Sequence, residues 1–222
     1  MKLVTDINEI NEEFALTIGN FDGVHLGHQQ LISELIEKGK SHSLKSAVIT
    51  FRPHPTEILF PERSSFLINS YEEKRCLFEK YGVDYLVEIN FTRDFSTMSA
   101  ESFLESIIFA NKNMKLLHLG YDFAFGANKS GDHDLAKSFS EKNNIEFSIQ
   151  NEVKNKADII SSTLVRSEIE KGNIAEASKL LGRDFFISRM IKKGEGRGKR
   201  IGFPTANITT DKKRIYPGRV FM

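Results

Sequence analysis

The first residues whose types suggest chemistry are two histidines, His25 and His28, three positions apart. They lie in the stretch GNFDGVHLGH (19–28), between the apolar run FALTI and the helix-like run QQLISELIEK. At a strand-to-helix turn, the free N–H groups and the positive dipole end of the helix point at whatever binds there. Two imidazoles in this setting are compatible with a phosphate site, a metal pair or a structural turn, and their spacing alone leaves all three open.

The glycines of this stretch favour the phosphate interpretation. Gly19, Gly23 and Gly27 allow a tight backbone and the close approach of a ligand. A zinc pair usually needs a third protein ligand, and the histidines at positions 42, 54, 118 and 133 lie in no metal motif. We therefore expect no metal cluster built from protein side chains, and we expect the two imidazoles to donate hydrogen bonds to phosphate oxygens.

A second stretch, ISSTLVR (160–166), offers groups that suit the same anion. Ser161, Ser162 and Thr163 supply hydroxyls and a helix N-cap, and Arg166 lies one turn into the predicted helix. Alone, the stretch is a common N-cap followed by a solvated arginine. Together with an upstream His-x-Gly-His loop in an α/β chain, it is typical of nucleotidyltransferases, in which both stretches bind one nucleoside triphosphate.

The elements that must position these stretches are predicted from apolar patterning and helix caps. Buried strands are predicted over 14–20, 45–51, 83–89, 114–120 and 145–150. Helices are predicted over 28–38, 74–81, 100–109, 133–142, within 159–172 and over 173–182. Strands that alternate with helices in this way predict an α/β fold with a parallel sheet covered on both faces.

The charge is distributed unevenly along the 222 residues. Residues 183–222 carry 11 basic and 3 acidic residues, a net charge of +8, whereas the remaining residues carry 20 and 27, a net charge of −7. This asymmetry predicts two units, 1–183 and 184–222, the second with an anionic partner such as a nucleotide, a nucleic acid or a membrane surface.

Composition narrows the class of protein further. No apolar run reaches the roughly 20 residues that span a bilayer, and the N-terminal sequence has no apolar signal core. We therefore expect a soluble, cytoplasmic protein without a membrane partner. The single cysteine, Cys76, excludes an internal disulfide and is expected to be a packing residue of a helix.

Five stretches together resemble the bacterial bifunctional riboflavin kinase/FAD synthetase family. They are, in the family's order, TIGNFDGVHLGHQQLI, TFRPHP (50–55), GYDFAFG (120–126), ISSTLVR and GRGKRIGFPTANI (196–208). The resemblance implies that residues 1–183 are a Rossmann-like FMN adenylyltransferase domain. Such a domain transfers AMP from ATP to FMN and yields FAD and pyrophosphate with Mg²⁺.

The resemblance also implies roles for individual residues. His25, His28 and Arg166 would act on the phosphates of ATP during the reaction. Further ATP-binding residues would be Gly19, Asn20, Phe21, Asp22, Gly23, Ser161, Ser162 and Thr163. The flavin side would be formed by Phe51, Pro53, His54, Pro55, Arg63, Asp122, Phe123 and Phe125. Mg²⁺ would arrive with ATP, and Asp122 is the candidate side chain for it.

The last stretch resembles the opening of a riboflavin kinase module. The resemblance implies that Thr205 and Asn207 of FPTAN serve ATP and Mg²⁺ in that module. Residues 184–222 would be the incomplete start of its small β-barrel, because the barrel needs on the order of a hundred residues. We therefore expect no riboflavin kinase activity from this chain as written.

Two other functions stay open from the sequence. One is a nucleotidyltransferase with another phosphate acceptor, such as a phosphopantetheine or a cytidylyl acceptor. The other is a flavin- or nucleotide-binding module without turnover. The expected partners are the small molecules ATP, FMN, FAD and pyrophosphate, with no nucleic acid.

Overall fold

A computed structural model describes residues 1–63, 65–155, 158–192, 202, 207–209 and 211–218. The predicted kinase-module residue Thr205 lies outside these ranges, and Asn207 begins a short strand in them. The helices are α1 Leu26–Ser41, α2 Pro55–Leu59, α3 Tyr71–Lys80, α4 Ala100–Phe103, α5 His133–Lys142, α6 Ser162–Glu170 and α7 Ile174–Leu181. A π-helical turn, Leu104–Ile108, continues α4.

Six parallel strands form the central sheet. They are β1 Lys2–Val4, β2 Phe14–Ile18, β3 Lys45–Arg52, β4 Tyr85–Asn90, β5 Met114–Leu119 and β6 Glu146–Ile149. Their order across the sheet is β1-β4-β3-β2-β5-β6. The chain moves to one side of β2 through β3 and to the other side through β5, so the strand order reverses beside β2. Short antiparallel pairs join β7 Lys154–Asn155 to β8 Asp158–Ile159 and β9 Ile191–Lys192 to β10 Asn207–Ile208.

The predicted α/β class with a parallel sheet is confirmed. All five predicted strands are present, and the sequence analysis missed only β1 of the sheet's strands. That edge strand is three residues long, and its Leu3 is 44% exposed. So short a run carries too few residues to show a period of its own.

Helices cover both faces of the sheet, as the alternation of elements predicts. On one face, Ala15 and Val48 pack against Leu35 of α1 and Phe78 of α3. On the other face, Leu16, Ile49 and their neighbours pack against α4, its π turn and α5. Side chains of successive strand residues point to opposite faces, so both clusters draw on the same strands.

A third apolar cluster lies beside the sheet and holds α6 and α7 together. It contains Val165 of α6 and Leu180 of α7, and it includes Ile68 and Ile215 from distant parts of the chain. Residues near position 215 therefore pack against elements of the predicted first domain. The boundary between residues 183 and 184 stays a prediction.

Local signals account for the helix ends. Ser70 and Glu73 form the predicted capping box of α3, and Ser99 caps α4 as predicted. Gly182 ends α7 with φ +63°, a left-handed conformation that glycine adopts without steric cost. The expectation that Cys76 packs inside the protein is wrong, because its side chain lies on the exposed face of α3.

Candidate active site

A cavity of about 820 Å³ lies beyond the carboxyl ends of the strands. Its walls come from Gly19 after β2, Phe51 of β3, Phe91 after β4, Gly120 after β5 and Gln150 after β6. The start of α6 closes one side. Ligands of open α/β sheets bind in this crevice, at the place where the strand order reverses.

Most of the residues predicted to bind substrates line this cavity. They are Gly19, Asn20, Phe21, Asp22, His25, His28, Phe51, His54, Pro55, Asp122, Phe123, Phe125, Ser161, Ser162, Thr163 and Arg166. Three predicted residues are not among the lining residues, namely Gly23, Pro53 and Arg63.

The two histidines occupy the start of α1 and contact each other. His25 is the N-cap residue, and its Nδ1 accepts a hydrogen bond from the backbone N–H of His28 at 3.4 Å. Their rings stack with centroids 3.6 Å apart, and His28 also meets the edge of Phe21. Burial lowers the pKa of His25 to about 4 and lowers that of His28 well below 6.5. Both imidazoles are therefore neutral at physiological pH.

The Nδ1 atom of His28 is buried without a hydrogen-bond partner among the described residues. A buried polar atom left unpaired costs about 1–3 kcal/mol. His28 lines the cavity, but this atom has almost no accessible surface, so a bound molecule reaches it only if the stacked pair of His25 and His28 shifts.

Asp22 joins the histidine loop, which we define as residues 19–28, to two distant parts of the chain. Its buried carboxylate accepts hydrogen bonds from the backbone N–H of Ile68 at 3.0 Å and from Nη2 of Arg166 at 2.7 Å. Arg166 also donates from Nε to the carbonyl of Phe66 at 2.8 Å. Two nitrogens of this arginine are thus held by the protein, which fixes the guanidinium at the cavity wall.

Two of the three hydroxyls at the start of α6 form hydrogen bonds with the protein. The Oγ of Ser161 accepts from the N–H of Leu164 at 3.3 Å and caps the helix. The Oγ of Ser162 donates to the carbonyl of Asp22 at 2.8 Å, which connects α6 to the histidine loop. Thr163 is exposed at the cavity wall.

Two cations that the sequence analysis missed hold the backbone of the histidine loop. Lys74 is buried, and its Nζ donates to the carbonyl of Asn20 at 3.1 Å and to the hydroxyl of Thr50 at 2.9 Å. Arg183 donates to the carbonyls of Gly23 at 2.5 Å and Val24 at 3.0 Å. These carbonyls therefore face cations inside the protein, and they do not meet an anion in the cavity.

Phenylalanines form the end of the cavity at β3, β4 and β5. Phe51 lies 5.7 Å from Phe91 and 5.9 Å from Phe95 between ring centroids, and Phe95 contacts Phe103. Phe103 in turn packs 5.7 Å from Phe125. Rings at these separations offer apolar and edge-on surfaces suited to a planar aromatic ligand. The sequence analysis missed Phe91, Phe95 and Phe103.

His54 is fixed by the helix that follows it. It caps α2, and its Nδ1 accepts from the N–H of Thr56 at 3.1 Å. Its own N–H contacts the hydroxyl of Tyr71 at 2.6 Å, and Tyr71 donates to Glu57. Burial lowers the pKa of His54 to about 4, so the ring is neutral and already engaged as a cap.

Asp122 is the exposed acid at the cavity wall, on the turn that follows β5. Gly126 ends this turn with φ +74°, and a side chain there would place its Cβ 2.6 Å from the Cα of Ala100. Only glycine fits so close to the start of α4. Among the described residues there is no group of three acidic, histidine or cysteine side chains that could hold a metal ion.

Family comparisons agree with this geometry. The FAD synthetase family model matches residues 7–164, which contain β2 to β6, the histidine loop and the aromatic end. The chain belongs to the FAD synthetase family. A second model, riboflavin kinase, matches residues 181–222. The resemblance stated from the sequence is thereby confirmed.

Two curated relatives of this FAD synthetase family member share one name. The bifunctional riboflavin kinase/FMN adenylyltransferase of Buchnera aphidicola subsp. Schizaphis graminum is 37% identical over 96% of this chain and 69% of its own. That of Escherichia coli K12 is 34% identical over 94% of this chain and 68% of its own. The crystal structure of a protein described as a macrolide-efflux protein from Streptococcus pneumoniae superposes with a TM-score of 0.84 at 28% identity. It covers 97% of this chain and 71% of the other.

In the part of the chain that the structure describes, no helix combines the length and the apolar character needed to cross a bilayer.

Proposed function

We propose that this chain transfers AMP from ATP to FMN and releases FAD and pyrophosphate. A phosphate oxygen of FMN attacks the α-phosphorus of ATP, and the bond from that phosphorus to the oxygen bridging to the β-phosphate breaks. The leaving group is pyrophosphate, and no covalent intermediate with the protein forms. Because the FMN phosphate is already an anionic nucleophile, the step needs no general base.

One observation carries the proposal: a single cavity joins the histidine loop at one end to a cluster of phenylalanines at the other. The first end supplies neutral imidazoles, a guanidinium and helix N-termini, which suit phosphate groups. The second end supplies flat apolar surfaces, which suit an isoalloxazine ring. A phosphate acceptor without an aromatic ring would leave this second end without a matching partner.

The histidines act by binding and by charge stabilisation. A neutral imidazole whose Nδ1 or Nε2 carries the proton donates one hydrogen bond to a phosphate oxygen. His28 lines the cavity, so a nitrogen of its ring can donate to the triphosphate. Such donors stabilise the charge that grows on the leaving pyrophosphate, and they align the reacting groups.

Mg²⁺ fits this site as an ion that arrives with ATP. It usually takes one or two carboxylates together with substrate phosphates. Asp122 is exposed at the cavity wall and is the residue that would hold it. Asp22 does not fit that role, because its carboxylate is 4% exposed and already accepts from Arg166 and backbone N–H groups. When bound, the ion would neutralise part of the negative charge of the phosphates.

The test is to incubate the purified chain with ATP, FMN and Mg²⁺ and to measure FAD and pyrophosphate together. We expect equimolar FAD and pyrophosphate. We expect His28→Ala to reduce the rate by about 10²-fold, the scale of losing one charge-stabilising donor. His42→Ala is the matched control, because His42 is exposed at the far end of α1. The proposal fails if wild-type protein forms no FAD, or if His28→Ala behaves like His42→Ala.

Two further acceptors separate this function from its alternatives. Riboflavin offered with ATP tests kinase chemistry, which the formation of FMN would reveal. A phosphopantetheine offered with ATP tests another acceptor class, and pyrophosphate release with it but not with FMN would replace the proposed acceptor. Binding of FMN without pyrophosphate release would identify a module without turnover.

A further inference from the structure

Arg214 is a buried arginine that does not line the cavity, yet it is connected to the histidine loop. The Arg214 side chain is fully buried. Its Nη1 donates to Oε1 of Glu73 at 2.6 Å, and its Nη2 donates to the carbonyl of Phe186 at 2.6 Å. Arg214 lies in the region that the riboflavin kinase model matches, outside the FAD synthetase match. A buried cation of this kind is tolerated only when its partners are well placed.

Its partner Glu73 organises the residues that precede α3. Oε1 of Glu73 also accepts from the N–H of Ser188 at 2.6 Å. Oε2 accepts from the N–H of Ser70 at 3.0 Å and from Nδ2 of Asn69 at 3.3 Å. The charge pair therefore fixes Asn69 and Ser70, the end of a stretch that we call the bridging segment (residues 65–70).

The bridging segment contacts the histidine loop on its other side. The N–H of Ile68 binds the Asp22 carboxylate at 3.0 Å. The side-chain oxygen of Asn69 accepts from Nη2 of Arg183 at 3.2 Å, and the same Nη2 donates to the carbonyl of Gly23. A continuous chain of hydrogen bonds thus runs from Arg214 through Glu73, Asn69 and Arg183 to the histidine loop.

Backbone contacts hold the segment around Arg214 against the bridging segment. The N–H groups of Phe66 and Leu67 donate to the carbonyl of Lys213 at 2.8 and 2.9 Å. The N–H of Ile215 donates to the carbonyl of Leu67 at 2.9 Å. These bonds do not depend on the Arg214 side chain, so a substitution there removes the charge pair and leaves the backbone pairing in place.

We propose that Arg214 is a positioning residue for the histidine loop, acting through Glu73 and Asn69 from the kinase-matching region. It contacts neither substrate, and its effect is to hold Asn69 where that residue supports Arg183 and the loop backbone. The inference rests on the proposed function only in taking ATP as the nucleotide that the histidine loop binds. It predicts that the charge pair affects the affinity for ATP as well as the stability of the fold.

The experiment measures the Kd for ATP by calorimetry and the melting temperature by circular dichroism, using the full chain. We expect Arg214→Met to weaken ATP binding about tenfold, which corresponds to about 1.4 kcal/mol. Ile7→Ala is the control, because Ile7 is buried in the apolar cluster that α4 and α5 cover, outside the cavity lining and the chain of hydrogen bonds. We expect Ile7→Ala to lower the melting temperature and to leave the Kd unchanged.

Two further variants keep the test decisive if Arg214→Met does not fold. Arg214→Lys keeps a positive charge beside the Glu73 carboxylate. We therefore expect it to recover most of the ATP affinity that Arg214→Met loses. The double variant Arg214→Met with Glu73→Met removes both charges of the pair together with the contact to Asn69, and it is expected to bind ATP weakly.

The inference is overturned if folded Arg214→Met, or the folded double variant, binds ATP with the wild-type Kd. It is also overturned if Ile7→Ala weakens ATP binding as much as Arg214→Met does, because a general loss of stability would then explain both. Failure of the proposed function would appear differently, as wild-type protein that binds ATP and forms no FAD.

Discussion

The Asp22 carboxylate and the Arg166 guanidinium form an ion pair of 2.7 Å between residues 144 positions apart in the chain. Both residues line the cavity, and both are largely buried. The pair joins the loop after β2 to α6. From the sequence, these two parts were connected only by the prediction that both bind the same anion. Asp22 thus orients Arg166, and Arg166 neutralises Asp22 where an anionic substrate would otherwise be repelled.

Replacing Asp22 by asparagine is predicted to destabilise the fold and to lower activity. Removing one partner of a buried pair costs about 3–5 kcal/mol, because the other charge is left uncompensated. Urea denaturation measures the change, and Asp94→Asn is the control, since Asp94 is exposed and caps no helix with its side chain. Equal unfolding free energies for the two variants would contradict a structural role for this pair.

Acid is predicted to destabilise the protein through His25. Its folded-state pKa of about 4 lies below the ordinary 6.5, so the unfolded chain binds more protons between these values. The free energy of unfolding therefore falls as the pH drops from about 6.5 to about 4, by on the order of 3 kcal/mol from this residue alone. Melting temperatures across this range measure the effect.

The variant His25→Asn isolates that contribution. Asparagine is a strong N-cap and replaces the acceptor for the N–H of His28, but it does not titrate. We expect a shallower loss of stability in acid than in the wild-type protein, while the stability near pH 7 stays similar. An unchanged slope with pH would assign the acid sensitivity to other groups.

Much of the fold and part of the site follow from local signals in the sequence. The five predicted strands depend on the pattern of a few consecutive residues. The capping box of Ser70 and Glu73 and the helix end at Gly182 depend on residues within one or two helical turns. The prediction that His25 and His28 lie together beside a helix start rests on one loop, and the structure places both at the start of α1. Each of these features is determined by neighbours in sequence, which is why periodicity and spacing predict them.

The features that were missed depend on distant contacts. Lys74 has the sequence context of an ordinary exposed helix lysine, but tertiary packing buries its Nζ within hydrogen-bond distance of Asn20 and Thr50. Arg183 and Arg214 belong to a region whose charge predicted an anionic partner, yet both donate to acceptors of the protein itself. No signal in the neighbouring sequence distinguishes a buried, paired cation from one on the surface. Only the structure shows which basic residues are buried.

Lys74→Met is predicted to weaken the support of the histidine loop. The substitution removes the donor to the carbonyl of Asn20 and the hydroxyl of Thr50, and a hydrogen bond from a charged group contributes about 1.5–3 kcal/mol. We expect a loss of unfolding free energy of about 2 kcal/mol and a higher KM for ATP. Lys80→Met, at the exposed end of the same helix, is the control and should change stability by less than about 0.5 kcal/mol.

Phe95→Ala is predicted to weaken FMN binding and to spare ATP binding. Phe95 lines the cavity at its aromatic end and contacts Phe51, Phe91 and Phe103. An aromatic contact contributes about 0.5–1.5 kcal/mol beyond its buried area, so the KM for FMN should rise by about threefold to tenfold. Phe109→Ala is the control, because Phe109 is also half-buried but packs on Phe139, away from the cavity lining. Steady-state kinetics with each substrate varied in turn measures both constants. A parallel rise in the KM for ATP, or an equal effect from Phe109→Ala, would show that Phe95 supports the fold and does not form the flavin site.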